Sequence, residues 1–420
     1  MLSIDFIRQN KEKVLTSAKN KNFGDINLDK ILSLDDKRHE VIIRIQKIRE
    51  ERNKLAGQKL NDKLRDTGRR LKEDLKKLEV ELESIENKLK PLSLEIPNIA
   101  LHDVKAGKDE SENDVIKTVG DKTAFKFAPK DHLELGEKLD IIDVRRTAKV
   151  SGSRFGYLKN QGVLLEFALI ELALKELITE SFIPIIPPTL VKKRITEGLG
   201  YWQAGGNNDY YVVKEPDIDD GLMYLVGTAE HSIVPFHADE ILDAKSLPLR
   251  YAAFSTCFRR EAGSYGKDTR GIFRVHQFDK IEMVSFTTPE KGDEEHDFLL
   301  SMEERLFQKL EIPYQVIKMC TGDLGFPTAR KYDIEAWIPS QNKYREVTSA
   351  STTTDFQARR LNIKFKDGNK KEFAYILNGT AFAIGRTLIA ILENHQQLDG
   401  SVKIPKVLQP YCGFDKIEHI

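Results

Sequence analysis

Residues 258–282 read FRREAGSYGKDTRGIFRVHQFDKIE, and their charged and aromatic members are the kind that could hold a nucleotide and a carboxylate together. Arg259 and Glu261 stand two residues apart, a glycine-rich basic loop follows, and Arg274, Phe278 and Glu282 come after it. An arginine fork takes phosphate or carboxylate bidentately. A phenyl ring can stack on a base, and a carboxylate can accept from an exocyclic amine or hold an ammonium group. The flanking runs YAAFSTCF and FDKIEMVSF are rich in β-branched and aromatic residues, so each predicts a strand. Gly263, Gly266 and Gly271 supply turn chemistry between them, and the whole predicts a long antiparallel hairpin. Strand residues i and i+2 share a face. Without a bulge, Arg259 therefore lies beside Glu261, and Arg274, Phe278 and Glu282 lie together. Alone, this spacing supports a site for a nucleotide plus a carboxylate, with a solvated, salt-bridged hairpin as the alternative.

Other elements must position these groups. Ile31, Leu34, Val41, Ile45, Ile48 and Leu55 recur at spacings of three and four. Leu64, Leu71, Leu75, Leu78, Leu82, Ile85, Leu89 and Leu92 do so again, interrupted at Gly68. Such heptad stripes are buried only against one another. They predict an antiparallel two-helix coiled-coil arm, connected within 56–68 and ended by Pro91 and Pro97. Helices of about 30 residues would reach roughly 45 Å. Residues 52–77 hold ten basic against four acidic side chains, in a chain whose net charge is zero. That local excess suits a phosphate-bearing surface; a solvated helix face is the alternative.

Residues 104–150 read as a polar linker and connecting segment, with KAGKDESEND as its most hydrophilic piece. GSRFGYLKNQGVLLEFALIELALKELI then shows helical periodicity. YYVV, MYLVG, LRYAAFS, KIEMVSF, YQVIKM, KYDIEAWI and FAYILNG are β-rich runs separated by loops. This order predicts an α+β fold, with residues 1–103 as the helical arm and 104–420 as a domain whose antiparallel sheet is flanked by helices. No GxGxxG follows a strand and no GxxxxGK[ST] occurs, which argues against a Rossmann site or a P-loop. No window approaches about 18 uninterrupted apolar residues, so no membrane span is expected. MLSIDFIRQNKEKV lacks the apolar core of a signal peptide. Cys257, Cys320 and Cys412 fit neither a disulfide nor a metal framework, so a reduced, cytoplasmic protein is expected, with Cys257 a buried strand thiol.

Taken together, the motifs resemble those of the class II aminoacyl-tRNA synthetases, and among them the bacterial-type seryl-tRNA synthetase family. FRREAGSYGKDTRG with VHQFDKIE is similar to motif 2. FIPIIPP at 182–188 is similar to motif 1, a helix, strand and proline at a dimer interface. NGTAFAIGRTLIAILE at 378–393 is similar to motif 3, with Arg386 as its arginine. Thr228-Ala229-Glu230, YREVTS at 344–349 and GDLG at 322–325 resemble the pieces specific to the seryl branch. The resemblance covers essentially the whole chain.

It implies a ligase that activates L-serine with ATP, releases pyrophosphate and transfers serine to the 3′ end of tRNA(Ser), with tRNA(Sec) a further candidate. Arg259 would bridge the α-phosphate and the serine carboxylate, Glu261 would accept from the adenine amine, and Phe278 would stack on adenine. The Val275 backbone would support the base, and Arg386 would bind the γ-phosphate side, making Arg259 and Arg386 the catalytic pair. Arg260, Arg274, Val347 and Thr348 complete the implied ATP site. Glu346 and Ser349 would ligate Mg2+, a cation that takes hard oxygen ligands. Thr228, Ala229 and Glu230 would serve the substrate ammonium region, Arg259 its carboxylate, and Glu282 and Thr380 its hydroxyl, with Asn378 close by. Thr380 stands where many bacterial members carry serine, and Gly227 and His231 also depart from the commonest pattern; His231 reads as a structural loop histidine. A homodimer, tRNA contacts through the arm and the basic loop 263–271, and no membrane association complete the expectation. Two alternatives stay open: a tRNA-independent relative that loads a carrier protein, which the arm argues against, and a non-catalytic RNA-binding paralogue, which should have lost motif 2 or motif 3 residues.

Overall fold

The computed structural model describes all residues except 25, 57–61, 202–207, 219–220, 263–269 and 419–420. The chain divides into two compact units, Met1–Pro97 and Asn98–Ile420. This division falls ahead of residue 103 because the Asn98 amide donates to the carbonyls of Pro327 (2.9 Å) and Thr353 (2.8 Å), which ties it to the sheet unit.

In the first unit, short helices Ile4–Gln9 and Lys11–Asn20 precede the two long ones, Leu28–Ala56 and Asp62–Leu94, of 29 and 33 residues. Ion pairs Arg44–Glu81 and Arg49–Glu79 run in opposite sequence directions along the long helices, which are therefore antiparallel. Val41, Ile45, Leu75, Leu78 and Ile85 are buried between them, as the heptads require. Asp35, with its side chain 1% exposed, is held by Arg8 at 3.0 Å and Arg38 at 2.8 Å, which fastens the first helix to the hairpin. Pro91 does not end the second helix, contrary to expectation; it lies inside, and the helix runs on to Leu94. A proline so near a C-terminus deletes one ladder bond, and Ser93 Oγ donates to the Leu89 carbonyl at 2.9 Å in the turn that continues. The connection between the helices, Lys59 included, lies outside the described residues.

The second unit is built on an eight-stranded sheet in the order Asp114–Val119, Tyr314–Lys318, Arg330–Ile338, Lys343–Thr352, Tyr375–Ala383, Gln277–Thr287, Leu249–Phe258 and Ile183–Ile185. Every pairing is antiparallel except that of the last short strand, which runs parallel to Leu249–Phe258. Alternation along Gln277–Thr287 sorts its residues cleanly. Ile281 and Met283 enter a core shared with helices Gln161–Thr179, Gly292–Lys309 and Ile384–Asn394. Val284 and Phe286 enter a smaller core on the opposite face, and Phe278, Lys280 and Glu282 on that face line a cavity. The long helices cover one face; on the other, the short helices Lys193–Leu199, Glu230–Ile233 and Phe356–Leu361 pack on the smaller core beside the site.

Residues 104–150 are more than a linker. They contain the edge strand Asp114–Val119 and helices His132–Lys138 and Val144–Val150. The strand's four central residues are exposed, so it carries none of the apolar alternation that marks a half-buried strand. No helix among the described residues is long and apolar enough to cross a membrane.

Leu78 is 5% exposed in the arm and Val80 is 60% exposed two residues on. Leu78→Ala is expected to cost the arm about 2–5 kcal/mol, and Val80→Ala less than about 0.5 kcal/mol. Thermal melting followed by far-ultraviolet circular dichroism distinguishes them; equal effects would contradict a packed hairpin seam.

Candidate active site

The ladder between Leu249–Phe258 and Gln277–Thr287 ends at the pair Phe258–Gln277. One more exchange closes its neck: the Arg259 N–H donates to the His276 carbonyl and His276 Nδ1 donates to the Arg259 carbonyl, both at 3.0 Å. Beyond it the chain leaves the sheet, and Glu261 takes a φ of +45°, in the left-handed region. Arg259 and Glu261 are therefore not related by strand alternation, and Arg274 also precedes its strand. An ion pair of 3.2 Å between Arg274 and Glu261 joins the two limbs instead. Phe278 and Glu282 do share a face, as expected, and Lys280 stands between them. Gly263 and Gly266 lie outside the described residues; Gly271 has a φ of +74°.

A cavity of about 400 Å³ opens here. Of the residues expected at the ATP site, Arg259, Glu261, Arg274, Val275, Phe278, Glu346, Val347, Thr348, Ser349 and Arg386 line it. Thr228, Glu230, Glu282, Asn378 and Thr380 line it as well. Ala229 does not: it is fully buried in the smaller core. Arg260 also stands apart, its exposed side chain outside the lining and its N–H bound to the Asp209 carbonyl at 2.9 Å.

Charge is concentrated at one end. Glu230 and Glu282 are 3% and 2% exposed. The hydroxyl of Tyr201 donates to Glu230 at 2.9 Å, and the Gln357 amide does so at 3.1 Å. Burial, then the neighbouring Glu282, pushes the Glu230 carboxyl up to about 6 despite those donors. Glu282 pairs with the Lys280 ammonium and accepts from Thr380 Oγ1 at 3.2 Å; burial still raises it above the usual carboxylate range. Behind them Glu303, wholly buried, accepts from Thr348 Oγ1 at 2.7 Å and is raised by burial well above its usual range.

At the other end, Arg386 in the first turn of Ile384–Asn394 pairs with Glu346 at 3.2 Å. Burial pushes Glu346 up, but Arg386, Lys331, Arg259 and Arg274 outweigh it and hold the carboxyl down at about 2. The strand Lys343–Thr352 is bulged: Glu335 opposes Glu346 while Ile334 opposes Thr348, leaving Val347 as the extra residue. In a regular strand residues three apart face opposite ways. The bulge resets the alternation, so Glu346 and Ser349 both reach the cavity.

Lys280, Lys331, Tyr201, Tyr210 and Phe273 also line the cavity and were not among the expected site residues. Lys280 could have been found two residues before Glu282 on one strand face; the tyrosines come from outside every motif and carry no such signal. His231 also lines the cavity: burial, then Arg259, pushes it down to about 3, and its neutral Nδ1 accepts the Gly227 N–H at 3.2 Å. Gly227 in turn accepts from Arg259 Nε at 3.0 Å.

An antiparallel sheet backed by helices, with arginines from a strand-end loop and a helix start meeting over buried carboxylates, defines a class II aminoacyl-tRNA synthetase. The model of the class II tRNA synthetase core domain (G, H, P, S and T) matches residues 211–395, and that of the seryl-tRNA synthetase N-terminal domain matches residues 1–100. Relatives named serine–tRNA ligase include one of Streptomyces avermitilis, 46% identical over 98% of each chain, and one of Dictyoglomus turgidum, 43% identical over 99% of each. The ATP complex of seryl-tRNA synthetase from Pyrococcus horikoshii superposes with a TM-score of 0.89 at 42% identity over 100% of both chains. The AMP complex of the cytoplasmic enzyme from Naegleria fowleri does so at 0.87 and 32%, covering 100% of this chain and 99% of that one. The chain belongs to the seryl-tRNA synthetase family, the serine–tRNA ligases.

Removing the Lys280 ammonium would strand a buried carboxylate, a loss of about 3–5 kcal/mol. Because burial raises Glu282 in the folded state, folding takes up a proton and stability falls as pH rises. The destabilisation of Lys280→Met, measured by urea unfolding, is therefore expected to be larger at about pH 8 than at about pH 5. Equal losses at the two pH values would contradict the pairing.

Proposed function

We propose that the cavity condenses L-serine with ATP. A serine carboxylate oxygen attacks the α-phosphorus, the bond to the β-phosphate oxygen breaks, and pyrophosphate leaves. A terminal hydroxyl of tRNA(Ser) then attacks the adenylate carbonyl, and AMP leaves. The observation that carries this reading is the pairing of Glu282 with Thr380 at 3.2 Å beside Glu230, within one cavity with Arg259 and Arg386. A buried carboxylate and hydroxyl form a small polar pocket that rejects an analogue lacking the substrate hydroxyl, because its own groups would then be left unpaired. Glu230 holds the ammonium, and Arg259 joins the carboxylate to the α-phosphate. Arg259 also lies 5.4 Å from the Phe278 ring centroid, which supports adenine stacking on that ring and a contact of Glu261 with its amine. Val275 and Arg274 complete the nucleotide edge, and Arg386 takes the γ-phosphate.

The donors fit Mg2+: Glu346 is ionised at neutral pH, and the Ser349 hydroxyl shares the cavity with it. When bound, the cation neutralises charge on the phosphate oxygens. Exposed Leu164, Phe167, Ile183 and Ile186 suit the interface of a homodimer. The basic residues of 52–77 and the loop 263–271 suit the phosphates of tRNA, recognised by shape more than by base edges. tRNA(Sec) falls within the same recognition, and a cytoplasmic setting fits three free, buried cysteines.

Pyrophosphate exchange with ATP, measured with each amino acid in turn, is expected to require serine. Deleting residues 35–92 is expected to abolish tRNA charging and spare that exchange. Exchange with another amino acid but not serine would overturn the substrate, and equal loss of both activities would overturn the division of labour.

A further inference from the structure

Helix Ile384–Asn394 carries Arg386 in its first turn and Glu393 in its last. Glu393 is wholly buried and its oxygens meet three groups. The His132 N–H donates to Oε1 at 3.1 Å, the Ser340 N–H donates to Oε2 at 3.1 Å, and His132 Nδ1 stands 3.4 Å from Oε1. His132 itself is 6% exposed. Its other ring nitrogen, Nε2, accepts the N–H of Ile272 at 3.3 Å. Only a neutral ring protonated on Nδ1 can do both.

Ile272 and Phe273 are buried where the 259–276 loop returns to the sheet, and both line the cavity. The Phe273 ring lies beneath Arg386, 5.1 Å from its guanidinium carbon, and beneath Arg345 at 4.4 Å. A chain of contacts thus leaves the helix at Glu393, crosses His132 to Ile272, and comes back through Phe273 to Arg386 on the same helix. Gly271 fits this arrangement: a Cβ there would strike the His132 ring, and its φ of +74° disfavours any side chain.

We infer that His132 is a positioning residue for nucleotide binding, because its ring fixes the Ile272–Phe273 limb against both ends of the motif 3 helix and so sets the guanidinium of Arg386. No motif of the sequence contains it. The inference rests on the reading of Arg386 as the phosphate-side arginine. It separates ATP from serine, since the serine pocket around Glu230, Glu282 and Thr380 lies outside this chain of contacts.

The test compares His132→Asn with His132→Gln in the intact chain. The shorter amide can still donate to Glu393 but leaves Ile272 without an acceptor; the longer one returns an oxygen acceptor toward Ile272. In serine-dependent pyrophosphate exchange, His132→Asn is expected to raise KM for ATP about tenfold while KM for serine changes by less than about twofold. His132→Gln is expected to recover ATP affinity to within about threefold of the parent. Arg386→Ala serves as the control on the underlying reading. Unchanged KM for ATP in Arg386→Ala would remove that reading and this inference with it. A raised value there with an unchanged one in His132→Asn would reject the positioning role alone. Parallel rises for ATP and serine without recovery in His132→Gln would also reject it, as the sign of a merely structural residue. Should His132→Asn not fold, Gly271→Ala displaces the same ring from the other side and carries the same expectation; a normal KM for ATP there would overturn the inference.

Discussion

The constraint on which the site depends is the cost of keeping ionised groups out of water. A buried carboxylate is tolerable only with donors or a countercharge, and the carboxylates of this cavity meet that cost in different ways. Buried Glu282 has an ammonium and a hydroxyl, buried Glu230 has only neutral donors from Tyr201 and Gln357, and Glu346, its side chain 43% exposed, has an arginine. The consequence is a graded set: Glu346 is held at about 2 and Glu230 is raised to about 6. On the proposed reading, the acid with the weakest countercharge is the one that takes the substrate ammonium, so serine binding would complete the charge balance that folding leaves open.

The sheet makes this grading possible. One face packs the larger apolar core, and the opposite face holds polar groups at fixed spacing beside a smaller one. Phe278, Lys280 and Glu282 come from successive positions of one strand face, and Asn378 and Thr380 come from the neighbouring strand, where Glu282 opposes Thr380. The two arginines proposed to act on the nucleotide come from the ends of elements, Arg259 just past a strand and Arg386 in the first turn of a helix. That is where backbone direction changes and a side chain can reach across a cavity.

Much of this was legible in the residues. The heptads of the arm, the strands flanking residues 258–282 and the order of the motifs lead to the observed architecture, because apolar periodicity and β-branched runs report burial directly. Other features were not legible, for physical reasons. The bulge at Val347 has no local signature, although it alone lets Glu346 and Ser349 face one cavity. Glu261 leaves the strand geometry through a positive φ that a glutamate does not advertise. The edge strand Asp114–Val119 is too exposed to show alternation. Tyr201 donates to Glu230 and His132 accepts from Ile272 from distant parts of the chain, contacts that tertiary structure alone creates.

The graded charge balance is tested most directly by the pH dependence of serine binding. At saturating ATP, KM for serine in pyrophosphate exchange should rise as pH falls below about 6, where the Glu230 carboxyl takes up a proton and loses its attraction for ammonium. In Glu230→Gln it should be high and independent of pH across the same range. A flat profile in the parent enzyme, or the same slope in Glu230→Gln, would contradict the account.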